Sequence, residues 1–281
     1  EEEESLELNE QTLVQLKCND PSVTALDAYF HFGRSIRNFD SCSIDWEKEG
    51  NCMGENTYVR SLSVECRLPS GEDDLAVENI ESFYRAVSRN RSIKHLMIVD
   101  GCAIDEGDFF EILSPFLEHN SNLRSIVLWN FDMDAESSQL LVSILSRRSN
   151  GRSLRRFEFE SNNMDDESAA KLIDAVAMHR NLKALSVRFD NDAKQWPVKL
   201  VNLLQNPPKL EDLNLGYNRI DDEAASVLVN AIANNNTLKT LSLESNERIT
   251  ASGWIAFFRS LRNVNSLESL DLCENDIDDE G

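Results

Sequence analysis

The chain has 281 residues, with 28 Lys or Arg against 50 Asp or Glu, so its formal net charge is −22 at pH 7. A negative field of this size repels nucleic acid and anionic membranes and attracts basic surfaces. The six cysteines form no Cys-x-x-Cys pair, which argues against zinc and favours reduced thiols in the cytoplasm or nucleus. No apolar run approaches the roughly 20 residues of a membrane span, and no signal peptide is visible.

The first 58 residues show only a weak pattern. The stretch from Leu13 to Cys18 predicts a helix, Val23 and Leu26 predict a strand, and the stretch from Trp46 to Glu55 predicts an outer helix. Terminal units of repeat proteins are usually atypical because they cover an open end. We therefore predict that residues 1–58 form an irregular N-terminal cap of degenerate repeats.

A repeated sequence motif dominates the rest of the chain. Leu-x-x-Leu-x-Leu-x-x-Asn-x-Ile is complete at 210–220 and 267–277, and partial copies begin at residues 93, 123, 154, 182 and 238. The first apolar residues of successive copies lie 28 to 31 residues apart. A nearly fixed period of this length is typical of stacked repeats, in which each unit covers the apolar face of its neighbour.

Each repeat opens with alternating apolar residues, which predict a strand, and continues with helical spacing. Ala224, Leu228 and Ile232 form such a helical stripe in the repeat that begins at Leu210. We therefore predict an α/β solenoid over 59–281, with about nine strands in the chain. Its parallel strands line a concave wall and its helices a convex wall, and the last repeat stops at Gly281, before its helix.

We interpret the Asn in the ninth position of the motif, at 162, 218, 246 and 275, as a structural residue. Its amide can bond backbone groups left free where the chain turns out of the strand. Acidic clusters such as Asp165-Asp166-Glu167, Asp221-Asp222-Glu223 and Asp278-Asp279-Glu280 precede helical stretches. Carboxylates there cap free N–H groups and meet the positive end of the helix dipole, so we interpret them as caps and not as metal ligands.

The period, the Asn position and the long helical half resemble the ribonuclease-inhibitor-like class of leucine-rich repeats. That class includes ribonuclease inhibitor, the Ran GTPase-activating protein and the repeat regions of NOD-like receptors. The resemblance covers residues 59–281 and implies a horseshoe, but no particular activity, because the class shares geometry and not chemistry. Gly101, Phe131 and Asp190 stand where the class has Asn, so irregular turns are expected there.

No catalytic set is visible. The histidines at 31, 95, 119 and 179 are far apart in sequence, and only His95 falls at a predicted wall position, with no nucleophile beside it. The glycines are too few and dispersed to form a phosphate-binding loop. We therefore predict a protein that is not an enzyme and that uses no cofactor or metal.

Strand residues in the third, fifth and seventh positions are predicted to line the concave wall, and those in the fourth and sixth to face the core. On this wall Met97, Val99, Val127 and Trp129 form an apolar patch on two neighbouring strands. Apolar patches with an aromatic anchor are where interfaces concentrate their binding energy. The alternative is that a flanking loop covers the patch.

A second, polar surface is predicted on the later strands. Its candidate binding residues are Arg156, Glu158, Glu160, Arg188, Phe189, Tyr217, Glu244 and Asp271, with Phe189 and Tyr217 at the rim in the eighth position. A mostly acidic wall suits a basic partner and speeds its approach. Plain solvation of the wall is the alternative.

The leading hypothesis is therefore an intracellular, non-catalytic module that binds a protein with a basic surface on its concave wall, with no role for nucleic acid or membrane. The resemblance keeps two alternatives open. One is a regulator of a small GTPase, for which Arg156 and Arg188 are candidates by position only. The other is the sensing part of a larger NOD-like receptor. The sequence does not indicate an oligomeric state.

Overall fold

The computed structural model describes residues 6–7, 10–31, 46–67, 74–99, 106–148, 153–161, 163–205, 210–262 and 264–277. The predictions for Gly101, Asn162 and Asp278-Asp279-Glu280 lie outside these residues. Strands and helices alternate along the described chain. The strands are β1 (Leu6–Glu7), β2 (Ala25–His31), β3 (Ser61–Arg67), β4 (His95–Val99), β5 (Ser125–Phe131), β6 (Arg156–Ser161), β7 (Ala184–Arg188), β8 (Asp212–Asn214), β9 (Thr240–Ser242) and β10 (Ser269–Asp271). The helices are α1 (Glu10–Lys17), α2 (Trp46–Glu55), α3 (Asp74–Val87), α4 (Glu106–His119), α5 (Ala135–Arg148), α6 (Asp166–Ala177), α7 (Trp196–Gln205), α8 (Asp222–Ala233) and α9 (Ala251–Leu261).

The chain divides into two compact units, Glu1–Phe131 and Asp132–Gly281. In the first unit, β1 to β5 pair in parallel, each with the next along the chain. In the second unit, β6 to β10 pair in the same way. Both units therefore have the α/β architecture of a leucine-rich-repeat solenoid, as predicted. The predicted boundary between residues 58 and 59 falls inside the first unit and stays a prediction.

The N-terminal elements are close to those predicted. α2 has the predicted bounds, α1 covers most of the predicted first helix, and β2 begins at Ala25, between the two predicted strand residues Val23 and Leu26. The short strand β1 was not predicted, because Leu6–Glu7 carries too few residues to show an alternating pattern.

Alternation within the strands places the core where the sequence predicted it. From His95 to Val99 the side chains alternate between accessible and buried, and β7, β8 and β9 do the same. Core positions hold large apolar groups. In the first unit the rings of Phe109 and Phe110 pack on Phe131, which replaces the expected Asn, with centroid distances of 5.4 and 5.5 Å.

The ninth-position asparagines bind backbone groups of two repeats, and we call Asn218, Asn246 and Asn275 the asparagine ladder. The amide of Asn246 donates to the carbonyls of Leu243 in its own repeat and Leu215 in the preceding repeat, at 3.0 and 2.9 Å. Its oxygen accepts from the N–H of Ile220. Because these bonds satisfy buried backbone groups, the structural interpretation of the ladder is confirmed.

The acidic clusters cap helices, as predicted. Asp165 and Asp221 are the N-caps of α6 and α8 and accept from Ser168 N and Ala224 N at 2.9 and 3.0 Å. The pKa of the Asp165 carboxyl is held below its ordinary value: burial would raise it, but hydrogen bonds from the backbone and hydroxyl of Ser168 outweigh that effect.

Candidate protein-interaction surfaces

The apolar patch lies on the strand face of the first unit. Parallel pairing sets Met97 beside Val127 and Val99 beside Trp129, so the predicted four residues are brought together. Trp129 is 38% exposed, and Met97 and Val99 are half-buried. Among the residues of this strand face whose exposure the structure describes, Trp129 is the one large apolar side chain that is exposed.

Val127 departs from the prediction of an open wall, because only 9% of it is exposed. Its pairing with Met97 places it on the same face of the sheet as the rest of the patch. Val127 therefore adds little accessible surface to the patch, and Trp129 supplies its exposed aromatic side chain.

The polar surface lies on the strand face of the second unit, which we call the β6–β10 face. Pairing aligns equivalent positions of adjacent strands into rows. One row runs Arg156, Ala184, Asp212, Thr240 and Ser269, and a second runs Glu158, Ser186, Asn214, Ser242 and Asp271. Ala184, Ser186, Thr240 and Ser242 are the small residues of these rows, and all four are half-buried.

The two arginines of this face are already paired within the chain. Arg156 forms an ion pair with Glu158 on the same strand, and Arg188 lies 3.2 Å from Glu160 on the neighbouring strand. Glu158 is consequently 8% exposed, so this predicted binding residue is largely covered by its own partner. The role of either arginine toward a GTPase partner stays a prediction.

Phe189 is placed differently from the prediction. It was expected at the accessible rim, but it is 0% exposed and packs against Trp196 at a centroid distance of 5.3 Å. The left-handed backbone position falls on Tyr217 in the eighth position of the next repeat but on Asp190 in the ninth position here. The chain therefore turns one residue later, and Phe189 faces the core.

Tyr217 does occupy the rim, at the centre of a polar cluster. It is 40% exposed, and its hydroxyl donates to Glu244 Oε1 at 2.9 Å and lies 3.3 Å from Glu274 Oε2. The Arg188 guanidinium lies 4.8 Å from the centre of the Tyr217 ring. The hydrogen bond to Glu244 raises the pKa of the Tyr217 hydroxyl, because ionisation would remove its proton beside two carboxylates.

Ion pairing divides the β6–β10 face by charge. The carboxylates on β6 pair with arginines, whereas those on and just after β8, β9 and β10 form no ion pair with the described lysines and arginines. These four are Asp212, Glu244, Asp271 and Glu274. Sequence reasoning missed Glu274, which occupies the same eighth position in its repeat as Tyr217. That shared position was the signal available.

Metal sites, cysteines and membrane-spanning helices would indicate other functions in the part of the chain that the structure describes. There, no group of three or more His, Cys, Asp or Glu residues is arranged to hold a metal ion. Cys18 and Cys273 are free thiols. No helix in the described ranges is long and apolar enough to cross a membrane.

Comparison with known proteins identifies the repeats. The Leucine Rich repeat family matches residues 206–229, 234–258 and 265–281. No curated protein sequence matches the chain.

Among solved structures, the chain is similar to the tropomodulin C-terminal domain of Caenorhabditis elegans. The identity is 17% and the TM-score 0.39, over 55% of this chain and 92% of that one. TLR13 in its complex with ssRNA13 is 16% identical with a TM-score of 0.49, over 98% of this chain and 33% of that one. The yeast Rad7 and Elc1 complex is 16% identical with a TM-score of 0.46, over 77% of this chain and 57% of that one. The chain thus spans a third of the TLR13 chain. The family model thus matches three repeats of the second unit, and the strand–helix alternation of both units has the α/β architecture of a leucine-rich-repeat solenoid.

Proposed function

We propose that the chain is a non-catalytic interaction module that binds another protein, with a basic surface, on the strand faces of its repeats. The observation that carries the proposal is the β4–β5 patch, where Trp129 is 38% exposed beside half-buried Met97 and Val99. Burying such an aromatic side chain against a partner removes a large apolar area from water and supplies much of an interface's binding energy.

The charge of the chain supports a basic partner. The formal net charge is −22, and the unpaired carboxylates of the β6–β10 face add a local excess of negative charge. Opposite charges steer a partner into place and raise the rate of association more than the final affinity. We therefore propose that the apolar patch supplies most of the binding energy and that the carboxylates of the β6–β10 face raise the association rate.

The test is affinity capture from a cell lysate with the intact chain, its Trp129→Ala variant and a Tyr58→Ala control. Tyr58 is a matched control, because it is 39% exposed in the same unit but lies before β3 and off the strand face. Loss of an anchor costs a complex about 2 kcal/mol or more, so partners should disappear from the Trp129 variant alone.

A follow-up separates affinity from rate. With a captured partner in purified form, Trp129→Ala should raise the dissociation rate, while added salt should mainly slow association. Equal capture by all three proteins would overturn the assignment of the patch as the binding surface.

A further inference from the structure

The end of the β6–β10 face combines an accessible aromatic ring with unpaired carboxylates. Tyr217, Ser245 and Glu274 hold the eighth position in three successive repeats, and all three have left-handed backbone angles, with φ of 58°, 50° and 54°. Backbone bonds from Tyr217 N to Glu244 O and from Ser245 N to Cys273 O hold these turns side by side at 2.8 and 3.0 Å.

A tyrosine is an unexpected residue for this backbone position. Left-handed angles favour Gly and Asn, and a bulky side chain there carries strain. Asn130 occupies the equivalent position in its repeat, with φ 63°. The fold therefore demands the backbone conformation but does not demand the ring.

The chain itself shows which ligand the ring accepts. The Arg188 guanidinium lies over the ring at 4.8 Å and is held by Glu160 at 3.2 Å. A cation over a tyrosine ring is attracted by its negative face. Since 40% of Tyr217 remains exposed, the ring has further accessible surface.

The carboxylates around the ring lack a cationic partner such as the one that Glu160 has in Arg188. Glu244 and Glu274 both contact the Tyr217 hydroxyl, and Ser245 Oγ also donates to Glu274 at 2.7 Å. These neutral donors leave both charges unbalanced, with no ion pair to the described lysines and arginines.

We propose that Tyr217, Glu244 and Glu274 form a receptor site for an arginine side chain of the partner protein. The tyrosine ring takes one face of the planar guanidinium, and the two carboxylates accept its N–H groups, as Glu160 already does for Arg188. Arginine fits better than lysine because its flat, five-donor group can stack and bond at once. This assignment deepens the proposed function, on which it rests for the existence of a protein partner.

The test uses the intact chain and a fluorescein-labelled peptide of alternating Gly and Arg residues, with Gly–Lys and Gly–citrulline peptides for comparison. Citrulline keeps the shape of arginine and removes its charge. The variants are Tyr217→Leu and the pair Glu244→Gln with Glu274→Gln. Glu136→Gln, at an exposed position of α5 in the same unit, is the control for a change of charge away from the site.

Tyr217→Leu should weaken binding of the Arg peptide about two- to fivefold, the range for an exposed cation–aromatic contact. The double Gln variant should weaken it about fivefold, as expected for two exposed ion pairs. Glu136→Gln should bind like the parent, and the citrulline peptide should not bind. Equal effects of Glu136→Gln and the site variants, or no binding of the Arg peptide, would overturn the proposal. Equal binding of the Lys peptide would overturn the choice of arginine.

A second measurement locates the peptide. In a sample with 13C-labelled tyrosine, the four tyrosines give separate ring signals, and Tyr217→Phe identifies that of Tyr217. The Arg peptide should shift this signal, and an unchanged signal would overturn the site even if the peptide binds. Trp129→Ala lies in the other unit and should leave peptide binding intact. Failure of the proposed function and failure of the arginine site therefore give different results.

Discussion

Asp222 accepts hydrogen bonds from both the backbone N–H and the hydroxyl of Thr250, each at 2.7 Å, although the two residues are 28 positions apart. Thr250 is the N-cap of α9, but its own side chain makes no cap hydrogen bond. The helix of one repeat is therefore capped by a carboxylate of the preceding repeat. Asp166 does the same for α7 by accepting from Gln195 N at 2.9 Å.

Asp222→Ala should destabilise the chain by about 1–2 kcal/mol, because Thr250, the N-cap of α9, loses the acceptor of its N–H and hydroxyl. Urea unfolding followed by circular dichroism measures the change. Glu223→Ala is the control, since Glu223 is exposed and lies next to Asp222 in the same helical turn. Equal loss in the two variants would show that helix charge, and not the cap to Thr250, is responsible.

Asn246→Ala should cost about 3 kcal/mol, because it leaves buried carbonyls of two repeats without donors. Asn246 is 0% exposed, whereas Asn234 is exposed and bonds only within α8, to Asn230 O. Asn234→Ala should therefore cost well under 1 kcal/mol by the same unfolding assay. A small effect at Asn246 would contradict the role given to the asparagine ladder.

Helices α2 and α3 approach closely at two glycines. A Cβ at Gly50 would lie 2.7 Å from the Ala86 Cβ, and one at Gly54 would overlap the Ala86 carbonyl oxygen. Each Gly→Ala change should cost about 1–3 kcal/mol by overpacking. Ala86→Gly should partly rescue Gly50→Ala, where the clash is with a side chain, but not Gly54→Ala, where it is with backbone. A double-mutant cycle without this difference would rule out the packing explanation.

Asp134 caps α5 through Ser137, whose hydroxyl and backbone N–H hold the pKa of the Asp134 carboxyl below its ordinary value of 3.8. The unfolded chain therefore binds the proton more readily, and the cap contributes stability above pH 3.8 that is lost as pH falls through the lower native pKa.

The matched variant is Asp134→Asn, which caps without titrating. The unfolding free energy should be larger for the parent chain than for Asp134→Asn at pH 7 and 5. The difference between the two proteins should become smaller at pH 3. A gap independent of pH would mean that the charge of Asp134 does not contribute.

Phe189→Ala should cost about 3–5 kcal/mol, the usual range for truncating a buried ring. A rim residue would cost almost nothing, so thermal and urea unfolding distinguish the core position from the rim expected from the sequence. Tyr217→Ala is the comparison, because it occupies the eighth position of the next repeat and is 40% exposed. Similar losses in the two variants would contradict the difference in placement.

The sequence predicted what depends on period and local chemistry. Strand–helix alternation, the bounds of α2, the caps at Asp165 and Asp221 and the ladder at Asn218 follow from residue type and spacing. Another set of asparagines was missed. The backbone N–H groups of Ile93 and Leu238, which open their repeats, donate to Asn90 and Asn235 at 3.0 and 2.7 Å. Their signal was an Asn three residues before each first apolar residue.

What the sequence did not reveal depends on neighbours in space. The caps from Asp166 and Asp222 to the following repeat could not be told from ordinary first-turn charges. The burial of Glu158 follows from a guanidinium closing over it, and that of Phe189 from a turn one residue late. The binding roles of Met97, Val99, Trp129 and the acidic residues stay predictions.

In the second unit, the bonds between repeats run in both directions along the chain. The asparagine ladder reaches back to the preceding repeat, and Asp166 and Asp222 reach forward to the next. If a middle repeat opened alone, polar groups of both neighbouring repeats would lose their hydrogen-bond partners. The free energy of opening is therefore lowest for a terminal repeat. Amide hydrogen exchange in this unit should therefore be slowest around β8 and become faster toward β10. Local unfolding of the unit would then begin at a terminal repeat and spread inward.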